Sequence, residues 1–103
     1  MSISSDEIKA LEVTHKRVAV VRSKHDDWEV VYRRPTRQEY KRFRAMAQSN
    51  PDAQEQLCRS IVVFPSKEAF DALLEDWPGI PEASAKAIMD LTGMQSKEDV
   101  GES

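Results

Sequence analysis

Residues 28–44 read Trp28-Glu29-Val30-Val31-Tyr32-Arg33-Arg34-Pro35-Thr36-Arg37-Gln38-Glu39-Tyr40-Lys41-Arg42-Phe43-Arg44. Trp28, Val30 and Tyr32 alternate with Glu29, Val31 and Arg33, the period of an extended strand. Pro35 has no N–H for a sheet ladder and pushes Arg34 toward extended geometry, so the strand stops there. Thr36 and Glu39 then have the spacing of a capping box, in which each side chain satisfies the other's backbone N–H. Tyr40, Phe43 and Ala47 follow on one helical stripe. A strand that breaks at proline and restarts at once as a capped helix points to a small α+β fold.

Upstream, Arg17 to Arg22 reads as a valine-rich first strand, and Ser23 to Asp27 as the polar loop of a hairpin whose returning strand is Trp28 to Arg34. Asp6 to about Thr14 is predicted as a helix capped by Ser5, with Ile8, Leu11 and His15 on one stripe. Two strands alone are marginal in water, so the hairpin needs helices on one face or another chain's strand at its edge.

Downstream, the second helix runs from Arg37 to about Gln48, and Ser49-Asn50-Pro51-Asp52 breaks and restarts the chain with Asn50 as cap. A third helix carries Ala53, Leu57 and Ile61 and extends to about Val62. Pro65 and Ser66 end one segment and cap the next, where Phe70, Leu73, Leu74 and Trp77 form an apolar stripe. Ile80, Ala83, Ala87, Ile88 and Leu91 mark a last helix, with Pro81 in its first turn and Gly93 as its C-terminal cap. Met94 to Ser103 is polar and aperiodic and reads as a disordered tail. The prediction is one α+β domain over residues 1–93, built from one N-terminal β-hairpin and four to five short helices, followed by a tail over 94–103.

A chain of 103 residues has room for one core. Its apolar runs reach only four residues, Val18–Val21 and Ile61–Phe64, against the roughly 20 of a membrane helix. Met1 to Glu7 has acidic residues and no basic region, so no signal peptide is expected and the cytoplasm is the default compartment. The lone Cys58 fits that setting. The net charge of −3 is unevenly spread: residues 1–65 hold 12 Lys/Arg against 9 Asp/Glu, and residues 66–103 hold 3 against 9. The two parts could attract each other, within one chain or between copies, or be plain solvated surface.

Nothing in the residues spells out catalysis, metal binding or a cofactor. Cys58 lies within a helical pattern beside Leu57 and reads as a small apolar residue. His25 with Asp26 and Asp27 reads as a solvated turn, because the adjacent carboxylates diverge and no further ligand is near. The glycines, Gly79, Gly93 and Gly101, are too scattered for a phosphate loop. The expectation is a protein without enzymatic activity. Arg33, Arg34, Arg37, Lys41, Arg42 and Arg44 are the densest charge feature. They admit a solvated face, a basic docking surface, or a nucleic-acid interface; the last sits poorly with a pI near 5.4.

From its N-terminal helix to Gly93 the chain resembles the tail assembly chaperones of long-tailed bacteriophages and prophages. The order of features carries the resemblance: the N-terminal helix, a valine-rich hairpin, Arg33-Arg34-Pro35-Thr36 with Glu39-Tyr40-Lys41-Arg42-Phe43, and a helix with Leu57-Cys58 running into Ile61-Val62-Val63-Phe64-Pro65-Ser66. Trp77-Pro78-Gly79 and Leu91-Thr92-Gly93 close the pattern. The resemblance implies a cytoplasmic binder of the tape-measure protein that keeps it soluble and helps bring major tail protein around it. It implies the short form that such families make beside a longer frameshifted one, with no catalytic residues; the uneven charge adds the expectation of a homo-oligomer, and the short apolar runs that of no membrane contact.

That role needs apolar surface which the core does not consume. The candidates are Met46, Trp77, Ile80, Met94 and the open edge of the hairpin, with Arg33, Arg34, Arg37, Lys41 and Arg44 as a basic docking face. The competing roles are a nucleic-acid-binding or regulatory module using the Arg33–Arg44 surface, and a structural subunit of a phage particle.

Overall fold

The returning strand of the hairpin lies at the middle of the sheet and is the most buried segment of the chain. The structure, a computed structural model, describes residues 3–93; Met94 and the expected tail lie outside the described residues. In chain order the elements are α1 (Ser5–His15), β1 (Val18–Arg22), β2 (Glu29–Arg33), α2 (Arg37–Ala47), α3 (Ala53–Ile61), β3 (Val62–Phe64), α4 (Lys67–Asp76) and α5 (Ile80–Leu91). The three strands form one antiparallel sheet in the order β1-β2-β3, with Val20 opposite Val31 and Val21 opposite Val30. The fold is α+β, as the sequence predicts.

The sheet has a strand that the hairpin reading lacks. α3 does not reach Val62: the chain turns extended there and pairs with the free edge of β2, Val62 opposite Tyr32 and Phe64 opposite Val31. Val62, Val63 and Phe64 suit a pleated surface better than a helix, and Pro65 bars Phe64 from helical geometry. One extra residue in β3 makes a bulge. Through it Val62 faces the main core while Phe64 joins Val31 on the opposite face.

β2 is buried on both faces, where the alternation Trp28, Val30, Tyr32 pointed to one. Val30 and Tyr32 enter a core with Leu57, Cys58 and Ile61 of α3, Val62, Phe70 of α4, and Ile80, Ile88 and Leu91 of α5. Tyr32 and Phe70 meet edge to face, centroids 6.2 Å apart. Glu29 and Val31 face the other way and are covered as well. There Ile3 N–H donates to Glu29 Oε1 at 2.7 Å, and Arg22 pairs with the same carboxylate. Burial works against the charge on Glu29, but Ile3 N–H and Arg22 together hold its carboxyl below the ordinary value.

The caps explain where helices begin. Thr36 Oγ1 accepts from Glu39 N–H at 3.1 Å and Glu39 Oε1 accepts from Thr36 N–H at 2.8 Å, the predicted box. α1 has the same device one residue earlier than predicted, between Ser4 and Glu7. Asn50 does not cap α3 directly: its Oδ1 accepts from Asp52 N–H at 2.8 Å, and the helix starts at Ala53. Gly93, at φ +89°, takes the left-handed turn after α5 that a side chain would strain.

Candidate functional site

The basic stretch does not act as one patch. Arg33, predicted as a docking cation, is committed internally. Its two terminal nitrogens each donate at 2.8 Å to one oxygen of Glu39, and Nη2 also donates to Ser60 O at 3.1 Å. This fork ties the end of β2 to the start of α2 and the end of α3. Arg33, against the opposing effect of burial, holds the Glu39 carboxyl down at about 2. Arg44 stacks over the Tyr40 ring, 5.9 Å from its centroid. The side chains of Arg34, Arg37, Lys41 and Arg42 are exposed and meet no hydrogen-bond or ion-pair partner among the described residues.

The apolar candidates separate as sharply. Ile80 is 1% exposed and belongs to the core, so it is not a docking residue. The periodicity that placed it at a helix start could not show that the α4–α5 turn folds it inward. Trp77, at the C-cap of α4, is 38% exposed. Met46 is half-buried in a small notch between α2 and α3. Phe43, Met46 and Leu57 supply its apolar part and Glu39, Arg42, Gln56 and Ser60 its polar part, around about 90 Å³. That volume accepts one aliphatic side chain rather than a cofactor, which needs at least about 300 Å³.

Sequence reasoning missed a larger groove on the opposite face of the sheet. It lies between α1 and β3, is lined by Ile3, Glu7, Ala10, Leu11, Thr14, Val63 and Phe64, and encloses about 320 Å³. α1 buries none of its own residues fully, and Val13, on a different side of the helix from the groove's Ala10, Leu11 and Thr14, is 85% exposed. The signal was present in Val63-Phe64, which have no role on a helix but line this groove once they form a strand.

The titratable groups are dispersed. Burial pushes the Cys58 thiol up to about 11, so it stays protonated. His25 is exposed in the hairpin loop and His15 ends α1. Among the described residues there is no group of three or more His, Cys, Asp or Glu able to hold a metal ion. No helix among them is long and apolar enough to cross a membrane.

Comparison with known proteins finds the same fold elsewhere. A solved structure of an uncharacterised protein from Bacillus stearothermophilus superposes with a TM-score of 0.72 at 25% identity, covering 85% of this chain and 93% of that one. No curated protein matches the chain. Residues 4–100 match the family described as "Domain of unknown function (DUF6848)". Matched over nearly its whole length, the chain belongs to the DUF6848 family.

Proposed function

We propose that this protein is a non-catalytic binder of another polypeptide: a cytoplasmic tail assembly chaperone of a long-tailed bacteriophage or prophage, holding the apolar helices of the tape-measure protein. The observation that carries the proposal is the groove between α1 and β3. Ile3, Ala10, Leu11, Val63 and Phe64, together with Glu7 and Thr14, line an open, mainly apolar groove of about 320 Å³. Its size suits a pair of apolar side chains on one face of a client helix. The Met46 notch on the other side offers a second, single-residue contact.

The resemblance to tail assembly chaperones supplies the client. The charge pattern supplies a way for copies to associate: the free cations Arg34, Arg37, Lys41 and Arg42 against Glu75, Asp76 and Glu82 of a neighbouring copy, all exposed. Those same unpaired cations favour an anionic partner of any kind, so nucleic acid is the second reading.

Co-expression tests the proposal. The wild-type chain keeps a tape-measure segment soluble and co-purifies with it, while Ala10→Glu, which puts a charge in the groove at an exposed position, loses the client and keeps the fold. Retention of the client by the Ala10→Glu chain refutes the groove. DNA binding at physiological salt without client binding supports the second reading instead.

A further inference from the structure

β1 has an open hydrogen-bonding edge. Ser23 N–H donates to Trp28 O at 3.2 Å, which makes these two a hydrogen-bonded pair. Counting back by twos along the register, Val21–Val30 and Ala19–Tyr32 are pairs of the same kind. The N–H and C=O groups of Val18, Val20 and Arg22 therefore point away from β2. None of them meets a partner among the described residues. Such groups are satisfied by water or by another strand. The opposite edge of the sheet offers less: β3 has three residues and is bulged against β2.

The flanks of this edge select the strand that can add. Lys16 and Arg17 are exposed at its start and Arg22 lies within it, while Lys24 at the far end shares the hairpin loop with the exposed Asp26 and Asp27. A second copy is a weaker match: the antiparallel register that pairs Val20 with its own mate brings Lys16 and Arg17 of one copy to the other's hairpin loop, which carries a cation as well as carboxylates. An extended segment with carboxylates alone at its C-terminal end, the end that antiparallel addition sets beside Lys16 and Arg17, meets those cations favourably.

We propose that the β1 edge takes up an extended, β-branched segment of another protein, acidic at its C-terminal end, as a fourth, antiparallel strand. Main-chain bonds to Val18, Val20 and Arg22 give the contact, and Lys16 and Arg17 give the choice of partner. This surface is separate from the α1–β3 groove and holds whether or not that groove binds a client.

Amide hydrogen exchange by NMR on the full chain tests it. The probe is a synthetic peptide of alternating Val and Thr with two Asp at its C-terminal end; the control carries Lys in place of Asp. At saturation the acidic peptide slows exchange at Val18, Val20 and Arg22 by about tenfold or more and leaves Ala19 and Val21, already bonded to β2, little changed. Val20→Pro, which removes an outward N–H and no bond to β2, abolishes this while the circular dichroism stays native. Three results overturn the proposal: no slowing with the acidic peptide, equal slowing with the Lys peptide, or protection in the free chain that rises with its concentration, which assigns the edge to a second copy.

Discussion

The hydroxyl of Tyr32 lies 2.8 Å from Ser84 Oγ in the core, and Ser84 Oγ in turn donates to Ile80 O at 2.8 Å. Since the serine proton is committed to Ile80, the phenol must be the donor to Ser84. The central strand and the last helix, 52 residues apart in sequence, are thus joined by a buried polar chain with no unsatisfied side-chain atom among the described residues.

Ser84→Ala strands the phenolic O–H in the core and lowers stability by about 1–3 kcal/mol. Tyr32→Phe removes the donor but leaves Ser84 bonded to Ile80 and costs less. The double variant is less destabilised than the sum of the two, because the stranded group is gone. Urea unfolding of the four proteins reads this directly; simple additivity would contradict the chain.

The Arg33–Glu39 fork predicts an acid limb. Glu39 titrates at about 2 in the folded chain against an ordinary value of 4.5. Its folded value is the lower one, so its contribution is complete above about pH 4.5 and is lost as pH falls toward about 2. Glu39→Gln is therefore less stable than wild type at pH 7, and the gap narrows as pH falls through that window. A gap that stays constant would mean that the fork does not stabilise the fold. Glu29, also shifted down, is untouched by this variant and cancels in the comparison.

Cys58 is fully buried and its thiol is pushed up to about 11. Labelling with a thiol reagent at pH 8 should proceed at the rate of opening of the native state and accelerate with denaturant. Modification within seconds in native buffer would contradict this burial.

The proposed association between copies rests on charge. Arg37→Glu with Lys41→Glu lowers the average mass in sedimentation, as does raising salt from about 50 to 500 mM, which shortens the screening length to a few ångströms. Adding Glu75→Lys and Asp76→Lys to the first pair restores it. A monomer under all these conditions rules the contact out.

The junction from β2 to α2 was legible because its signals are local. Proline, the Thr36–Glu39 spacing and the alternation through Tyr32 act within a few residues. β3 was not, because Val62-Val63-Phe64 continues the apolar pattern of α3 and becomes a strand through pairing with β2, some 30 residues away. A longer separation hides the groove: Ala10 and Leu11 are ordinary helix residues until Val63 and Phe64 arrive opposite them. Arg33 looked like a member of a cationic run, and its capture by Glu39 and Ser60 depends on where α2 and α3 end. Ile80 needed the α4–α5 turn to be seen as core.

The most direct measurement of the central claim is the soluble yield of a tape-measure segment expressed with the wild-type chain and with Ala10→Glu. A binder of apolar helices predicts high soluble yield with the first, and aggregation like that of the segment alone with the second. Equal yields with both chains, or aggregation with the wild type, would contradict it.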